Sequence, residues 1–220
     1  VVDHAPLKDM LIETAQGNRK FVGLVLRKPA DADEDDAPPR GRDLYPVGVI
    51  AEILGLQQPK PKGPVQVLLG ALERCRITRI VQEKPHIVAA VDYLFETEMS
   101  RNDELKAYSL SVVKCLKELI QLNPLHREEM ALLMNQSSVG EPGRLADFAA
   151  AMTSAEPHEL QDVLEAIRIR DRLAKVLLLL QKEIDISKLQ VKINKQIEEK
   201  LTTQQRRFFL REQLKAIKKE

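Results

Sequence analysis

The stretch "DRLAKVLLLLQKEIDISKLQVKINKQIEEK", residues 171–200, decides the architecture of the second half of the chain. Neither Pro nor Gly occurs after Pro157, so no helix-breaking residue interrupts this part of the sequence. Its apolar residues recur mostly every three or four positions, the spacing of one helix face: Leu173, Leu177, Leu180, Ile184, Ile186, Leu189, Ile193, Ile197 and Leu201. We predict one helix over about 171–220, roughly 75 Å long. The first part of this stripe is expected to be buried on its own domain, up to the polar run "TTQQRR" at 202–207.

Helical periodicity begins near residue 99. The segment "SRNDELKAYSLSVVKCLKELIQLNP" places one apolar face on a first helix, with Leu105, Leu110, Val113, Leu116 and Leu119. Three further segments have helical patterns: "REEMALLMNQ" at 127–136, "EPGRLADFAAAM" at 141–152 and "PHELQDVLEAI" at 157–167. Residues 99–220 are therefore predicted to form a helical bundle that ends in the long helix.

Residues 1–98 have a different pattern, of short β-prone runs between turn residues. The predicted strands are "FVGLVLR" at 21, "YPVGVIAEIL" at 45, "VQVLLG" at 65, "CRITRIVQE" at 75 and "HIVAAVDYLF" at 86. One helix, "PLKDMLIETAQG", precedes them. The acidic, proline-rich segment at 29–43 is predicted to be a solvated loop. The fold class is α+β, with a small antiparallel sheet or barrel followed by helices.

Composition excludes several functions. With 34 basic and 33 acidic residues the formal charge is +1, so the chain has no overall attraction for nucleic acid or an anionic membrane. The longest apolar run, "VLLLL" at 176–180, is far shorter than the roughly 20 residues of a membrane span. Cys75 and Cys115 have neither redox nor metal-ligand spacing, which favours a reducing compartment. Val1 at the first position and the absence of a signal peptide indicate a piece of a longer protein.

Catalytic and nucleotide-binding motifs are absent from the sequence. Its nine glycines form neither a phosphate loop nor a dinucleotide fingerprint, so we expect no bound cofactor. Its four histidines have no metal-ligand spacing, so we expect no metal site. No nucleophile stands beside a base in a recognisable arrangement, and we expect no catalytic residue. From its residues alone, the chain is predicted to be a non-catalytic module of two parts.

Three stretches resemble the amino-terminal region of Lon, the ATP-dependent AAA+ protease family. They are "DLYPVGVIAEI" at 43–53, "VQVLLGALERCRI" at 65–77 and, most specifically, "KEIDISKLQVKINKQIEEKLTTQQRRFFLREQLKAIKKE" at 182–220. Arg207 departs from the family pattern, in which many relatives carry an acidic residue. The resemblance covers nearly the whole chain, although the opening strands of the family's β subdomain have no counterpart before Pro6.

The resemblance implies a PUA-like pseudo-barrel at 1–98, a helical domain at 99–220, and a role in substrate recognition and hexamer organisation. A Lon protease is an ATP-dependent serine protease that degrades misfolded and regulatory proteins. Its Ser/Lys dyad and its sites for ATP and Mg belong to modules outside this chain, so the chain by itself is not expected to be an enzyme. The implied partners are unfolded proteins and other copies in a homohexamer. The implied compartment is the bacterial cytoplasm, with an organelle matrix as the alternative.

Five residues near the end of the long helix are the predicted partner or substrate contacts. They are Phe208, Phe209, Leu210, Arg211 and Leu214. Packing against another subunit or an adjoining ATPase module is the favoured interpretation, and gripping of substrate is the second. Two other functions remain open, namely a structural oligomerisation spacer and DNA binding through the basic end of the helix. From Thr202 onward there are six basic and two acidic residues, a net charge of +4, and a match to an acidic neighbour or to the dipole of the helix C-terminus is favoured over DNA binding.

Overall fold

The computed structural model describes residues 2, 5–17, 20–29, 39–57, 63–96, 103–122 and 141–217, with backbone alone at 5, 202–204, 206–209 and 211–217. The predicted helix at 127–136 and most of the predicted acidic loop at 29–43 lie outside these residues. The chain divides into two compact units. The β unit comprises Val1–Glu98 and Glu156–Arg168, and the helical unit comprises Met99–Ala155 and Ile169–Glu220.

Five α-helices and four β-strands lie within the described residues, together with a 3-10 helix at Gly41–Asp43. In chain order the α-helices and β-strands are α1 (Ala5–Gln16), β1 (Phe21–Leu24), β2 (Val47–Gln57), β3 (Gln66–Gln82), β4 (Val88–Leu94), α2 (Asp103–Leu122), α3 (Pro142–Ala151), α4 (Pro157–Glu165) and α5 (Ile169–Ile217). The four strands form one antiparallel sheet in the order β1-β2-β3-β4. A sheet followed by helices, the last of them very long, confirms the predicted α+β class.

Strand β3 joins two segments that the sequence predicts as separate strands. Its first part pairs with β2 and its second part with β4, and the two pairings overlap at Arg74–Arg76. The intervening "ALER", residues 71–74, lies outside both predicted strands, but it holds a β-bulge, where the register changes between Val49 and Ala51 on β2. A bulge bends a strand without ending it, so β3 continues for 17 residues.

Helix α4 belongs to the β unit, whereas the sequence predicts it as part of the helical domain. Pro157 occupies its first turn, and the side chain of Glu159 accepts a hydrogen bond from the backbone N–H of Glu156 at 2.9 Å. Two side-chain contacts tie the helix to the sheet. The buried Nε2 of Gln161 donates to the Val47 carbonyl at 2.9 Å, and Nε of Arg74 donates to the Leu164 carbonyl at 3.2 Å.

The core of the helical unit lies between α2, α3 and the first part of α5. On α2 the buried residues follow a spacing of four and three: Leu105, Ser109, Val112, Leu116 and Leu119. Leu110, predicted on the buried face, is exposed, because that face follows Ser109 and Val112 instead. Arg172 is also fully buried and lies 3.6 Å from a carboxylate oxygen of Asp147 on α3, measured from Nη1.

Helix α5 leaves the core earlier than the sequence predicts. Its buried face runs from Leu173 through Ile184 to Ser187, and the described side chains beyond Ser187 are exposed. Helix α2 runs in the same direction as α5, with ion pairs from Glu104 to Arg170 and from Glu118 to Lys188. The 20 residues of α2 span only about 30 Å, so α2 ends alongside the part of α5 near Lys188. The apolar face of α5 is therefore uncovered from there onward.

Candidate functional site

One face of the sheet exposes four large apolar side chains, which we call the sheet patch. They are Phe21, Leu54, Leu68 and Leu72, with exposed fractions of 49%, 60%, 63% and 53%. The strand register brings them together. Phe21 pairs with Glu52, and Glu52 pairs with Gly70 on β3, so these three residues share a face. Leu68 and Leu72 lie two residues before and after Gly70 and therefore share that face too.

Leu54 belongs to β2 and completes the sheet patch because its side chain extends over the neighbouring strand β3. The register shifts between Ile53 and Gly55, which leaves Leu54 as the extra residue of a bulge. A Cβ placed on Gly70 would lie 3.1 Å from Cδ1 of Leu54. The missing side chain at Gly70 therefore leaves room for Leu54 to lie over β3, between the positions of Leu68 and Leu72.

Glu52 is the charged residue at the centre of the sheet patch. It is partly exposed, with Phe21 beside it on β1, and Ile50 and Leu54 two residues away along β2. Among the described residues, no side chain or backbone group forms an ion pair or hydrogen bond with its carboxylate. The sheet patch is thus an apolar surface around one hydrated negative charge.

A stacked aromatic pair is exposed on the same face of the sheet, and buried residues separate it from the sheet patch. The rings of Tyr93 and Phe95 are stacked, with centroids 6.2 Å apart and planes inclined by 16°, and both side chains are exposed. Tyr93 pairs with Cys75 and Cys75 with Gly48, which shares a face with Glu52 by alternation along β2. Cys75 itself is buried, and this burial raises the pKa of its thiol, so it offers no reactive group at the surface.

The predicted contact residues near the end of α5 lie on a helical backbone. All five, Phe208, Phe209, Leu210, Arg211 and Leu214, fall within α5. Leu210 is 51% exposed, whereas the other four side chains lie outside the described part of the structure. A role for these five residues in partner or substrate contact stays a prediction.

A second apolar surface, which we call the α5 stripe, lies before those residues on the same helix. Leu189, Ile193, Ile197 and Leu201 are each about half exposed and recur every four residues. At its start, Nζ of Lys188 lies 2.8 Å from Oε1 of Glu118, and this hydrogen bond raises the pKa of Lys188. The described residues provide nothing that covers the α5 stripe.

Both surfaces suit binding better than chemistry. Within the described ranges, no group of three or more His, Cys, Asp or Glu residues is placed to hold a metal ion. The helices in those ranges also lack the combined length and hydropathy of a membrane-spanning segment. What the two surfaces present is apolar area with a few charges at defined positions. The sheet patch was not predictable from the sequence as a binding site. The one local signal is the alternation of Leu68, Gly70 and Leu72, which places these residues on one face of β3.

Comparison with known proteins identifies relatives along the whole chain. Lon protease 1 of Syntrophotalea carbinolica is 44% identical over 217 residues, which are 99% of this chain and 26% of that protein. A Lon protease of Chlamydia pneumoniae is 42% identical over 220 residues, which are 100% of this chain and 26% of that protein. The chain thus spans about a quarter of the length of the curated relatives that it matches.

A solved structure and a family model complete the comparison. The N-terminal domain of Mycobacterium avium complex Lon protease has a similar fold, with a TM-score of 0.53 and 20% sequence identity. The similarity covers 73% of this chain and 89% of that domain. The model of the ATP-dependent protease La (LON) substrate-binding domain matches residues 2–182, which cover nearly all of the β unit and the helical unit as far as residue 182. The chain therefore belongs to the family of Lon substrate-binding domains.

Proposed function

We propose that this chain is the substrate-recognition region of an ATP-dependent Lon protease and that the sheet patch captures misfolded and regulatory proteins. The observation that carries the proposal is the exposure of four large apolar side chains on one face of the sheet, in a chain of the substrate-binding family. Unfolded polypeptides expose apolar side chains that folded proteins bury, so an apolar surface of this kind distinguishes the two.

The size of the sheet patch suits weak, reversible capture. Full burial of a leucine or phenylalanine is worth about 1.5–3 kcal/mol, and these four side chains are already about half buried, so each can add about 1 kcal/mol. One patch therefore binds weakly. In a hexamer, several copies could hold one substrate at once, which raises the overall affinity without any new contact.

The remaining steps are assigned to other parts of the full-length protein. Hydrolysis of ATP with Mg and peptide cleavage by a Ser/Lys dyad would take place in modules outside this chain. Within a homohexamer, α5 would connect the recognition region to the ATPase module through Phe208, Phe209 and their neighbours. The bacterial relatives favour the cytoplasm as the compartment.

Binding to a permanently unfolded protein tests capture. A reduced, carboxymethylated model protein is titrated into the 220-residue chain, and affinity is measured by fluorescence anisotropy. The variant Leu68→Ser/Leu72→Ser should weaken binding by about tenfold or more, at about 1 kcal/mol per leucine. The matched control is Leu110→Ser/Leu178→Ser, which changes two exposed leucines of the helical unit and should bind as the unchanged chain does. Equal affinities of both variants would refute capture by the sheet patch.

A second candidate function, oligomerisation, is favoured by the α5 stripe. A half-exposed apolar row with four-residue spacing fits a partner helix, and another copy of α5 would supply one. Analytical ultracentrifugation of the chain and of its Ile193→Ser/Ile197→Ser variant tests this function. An unchanged mass in the variant would argue against pairing there. DNA binding through the basic end of α5 stays a prediction, tested by the salt dependence of binding to duplex DNA.

A further inference from the structure

The position of Glu52 gives the sheet patch a chemical preference. In the strand register Glu52 lies between Phe21, which is exposed, and Gly70, over which the side chain of Leu54 lies, and Leu54 itself follows Glu52 by two residues on the same face. A ligand that covers these three residues also covers Glu52. Any substrate captured by the sheet patch must therefore accommodate a negative charge.

In the described parts of β1, β2 and β3 up to Cys75, no positively charged side chain shares the face of Glu52. The paired or alternating positions of this face in those parts carry no charge apart from that of Glu52. They are apolar or glycine at Phe21, Gly23, Gly48, Ile50, Leu54, Leu68, Gly70, Leu72 and Cys75, and polar but neutral at Gln57 and Gln66. The nearest other charge along β3 is Glu73, an exposed residue in the bulge beside Leu72. The charge that a ligand meets at the sheet patch is therefore negative.

Covering Glu52 has different consequences for different ligands. A neutral apolar segment removes water from the carboxylate and replaces none of its hydrogen bonds, which weakens binding. A lysine or arginine in the segment restores charge-assisted hydrogen bonds, whereas an aspartate or glutamate adds repulsion. A penalty of about 1.4 kcal/mol for leaving the charge of Glu52 buried and unpaired corresponds to a tenfold lower affinity. We therefore expect a segment with a lysine or arginine to bind roughly tenfold more tightly than a neutral segment.

We infer that Glu52 makes the sheet patch selective for apolar segments that carry a lysine or arginine. This inference rests on the proposed capture function, and it adds the class of segment that is captured. Segments of unfolded proteins with mixed apolar and basic sequence bind best, neutral apolar segments bind less tightly, and apolar segments with an acidic residue bind least. Glu52 is thus a specificity-determining residue in an otherwise apolar surface.

Peptides with one variable position test the selectivity. The host peptide has 11 residues of alternating leucine and serine, carries fluorescein, and has lysine, glutamine or glutamate at its centre. Dissociation constants for the 220-residue chain are measured by anisotropy at low salt. We expect the lysine peptide to bind about tenfold more tightly than the glutamine peptide, and this ratio to fall as salt rises. In the Glu52→Gln variant the ratio should approach one, because the glutamine peptide gains affinity.

The control separates a local effect from a general change in net charge. Glu13→Gln removes an exposed carboxylate of α1 in the same unit and should leave the ratio at its original value. If all three peptides bind the unchanged chain equally, or if Glu13→Gln lowers the ratio as much as Glu52→Gln, selectivity by Glu52 is refuted while capture stands. If no peptide binds and the unfolded protein also fails to bind, capture itself is refuted.

Discussion

Two leucines two residues apart on α5 give the sharpest test of where the helical unit is packed. Leu180 is fully buried, whereas 73% of Leu178 is exposed, although both belong to one continuous helix. The substitutions Leu180→Ala and Leu178→Ala remove the same atoms and change helix propensity equally. Their difference in the free energy of unfolding therefore isolates tertiary packing.

The magnitude of that difference follows from burial. Replacing a buried leucine by alanine costs about 2–5 kcal/mol, as the sum of lost transfer free energy and the cavity that remains. Replacing an exposed leucine usually changes stability by less than about 0.5 kcal/mol, and alanine is slightly the better helix former. We expect Leu180→Ala to cost about 3 kcal/mol more than Leu178→Ala.

Urea denaturation followed by far-UV circular dichroism measures the difference. Leu180→Ala should lower the transition midpoint of the helical unit, whereas Leu178→Ala should leave it almost unchanged. Equal destabilisation by the two substitutions would mean that the face of α5 bearing Leu178 is also packed. The assignment of one buried face to this part of α5 would then be wrong.

Three further predictions concern the β unit and the two thiols. A Cβ at Gly48 would lie 2.5 Å from a backbone carbonyl oxygen, so Gly48→Ala should destabilise the chain by about 1–3 kcal/mol. The control is Gly23→Ala, which should cost less because a Cβ there meets nothing within 4 Å. Equal urea midpoints of the two variants would contradict the close approach at Gly48. Gln161→Ala removes the buried hydrogen bond from α4 to β2 and should cost about 1–3 kcal/mol; an unchanged midpoint would show that the bond is dispensable. Burial raises the pKa of both cysteine thiols, but Cys75 is buried and Cys115 only partly so. An aromatic disulfide reagent should therefore modify Cys115 first, and faster reaction of Cys75 would refute its burial.

The long helix was predictable because its signal is local and repeated. Apolar residues at three- and four-residue spacing, without Pro or Gly, specify a helix whatever surrounds it. The observed helix begins at Ile169, two residues before the predicted start, and continues through Ile217, the last residue that the structure describes. The point where its burial ends was not predictable. That point depends on the length and direction of α2, which packs against α5, and the sequence of α5 does not determine either of them.

Pairing over long distances in the sequence explains the other differences. Helix α4 joins the β unit through Gln161 and the Val47 carbonyl, which are 114 residues apart, and its own periodicity would fit a bundle equally well. In β3 the residues "ALER" combine helix-forming types, but pairing with β2 and β4 on either side keeps them extended. Local preference was overruled in both places by partners that the sequence does not identify.

The sheet patch shows why a binding surface on this sheet was hidden in the sequence. Strand β2 carries apolar residues on both faces. Val47, Ala51 and Ile53 lie on the buried face, and Ile50 and Leu54 lie on the opposite face, so the alternation of residues along the strand cannot tell which face is covered. Glu52 is the one charged residue of β2. A carboxylate is rarely buried without a partner, so Glu52 indicates that its face meets water. The residue that keeps this face open to solvent is thus the one that should make the face selective when a substrate covers it.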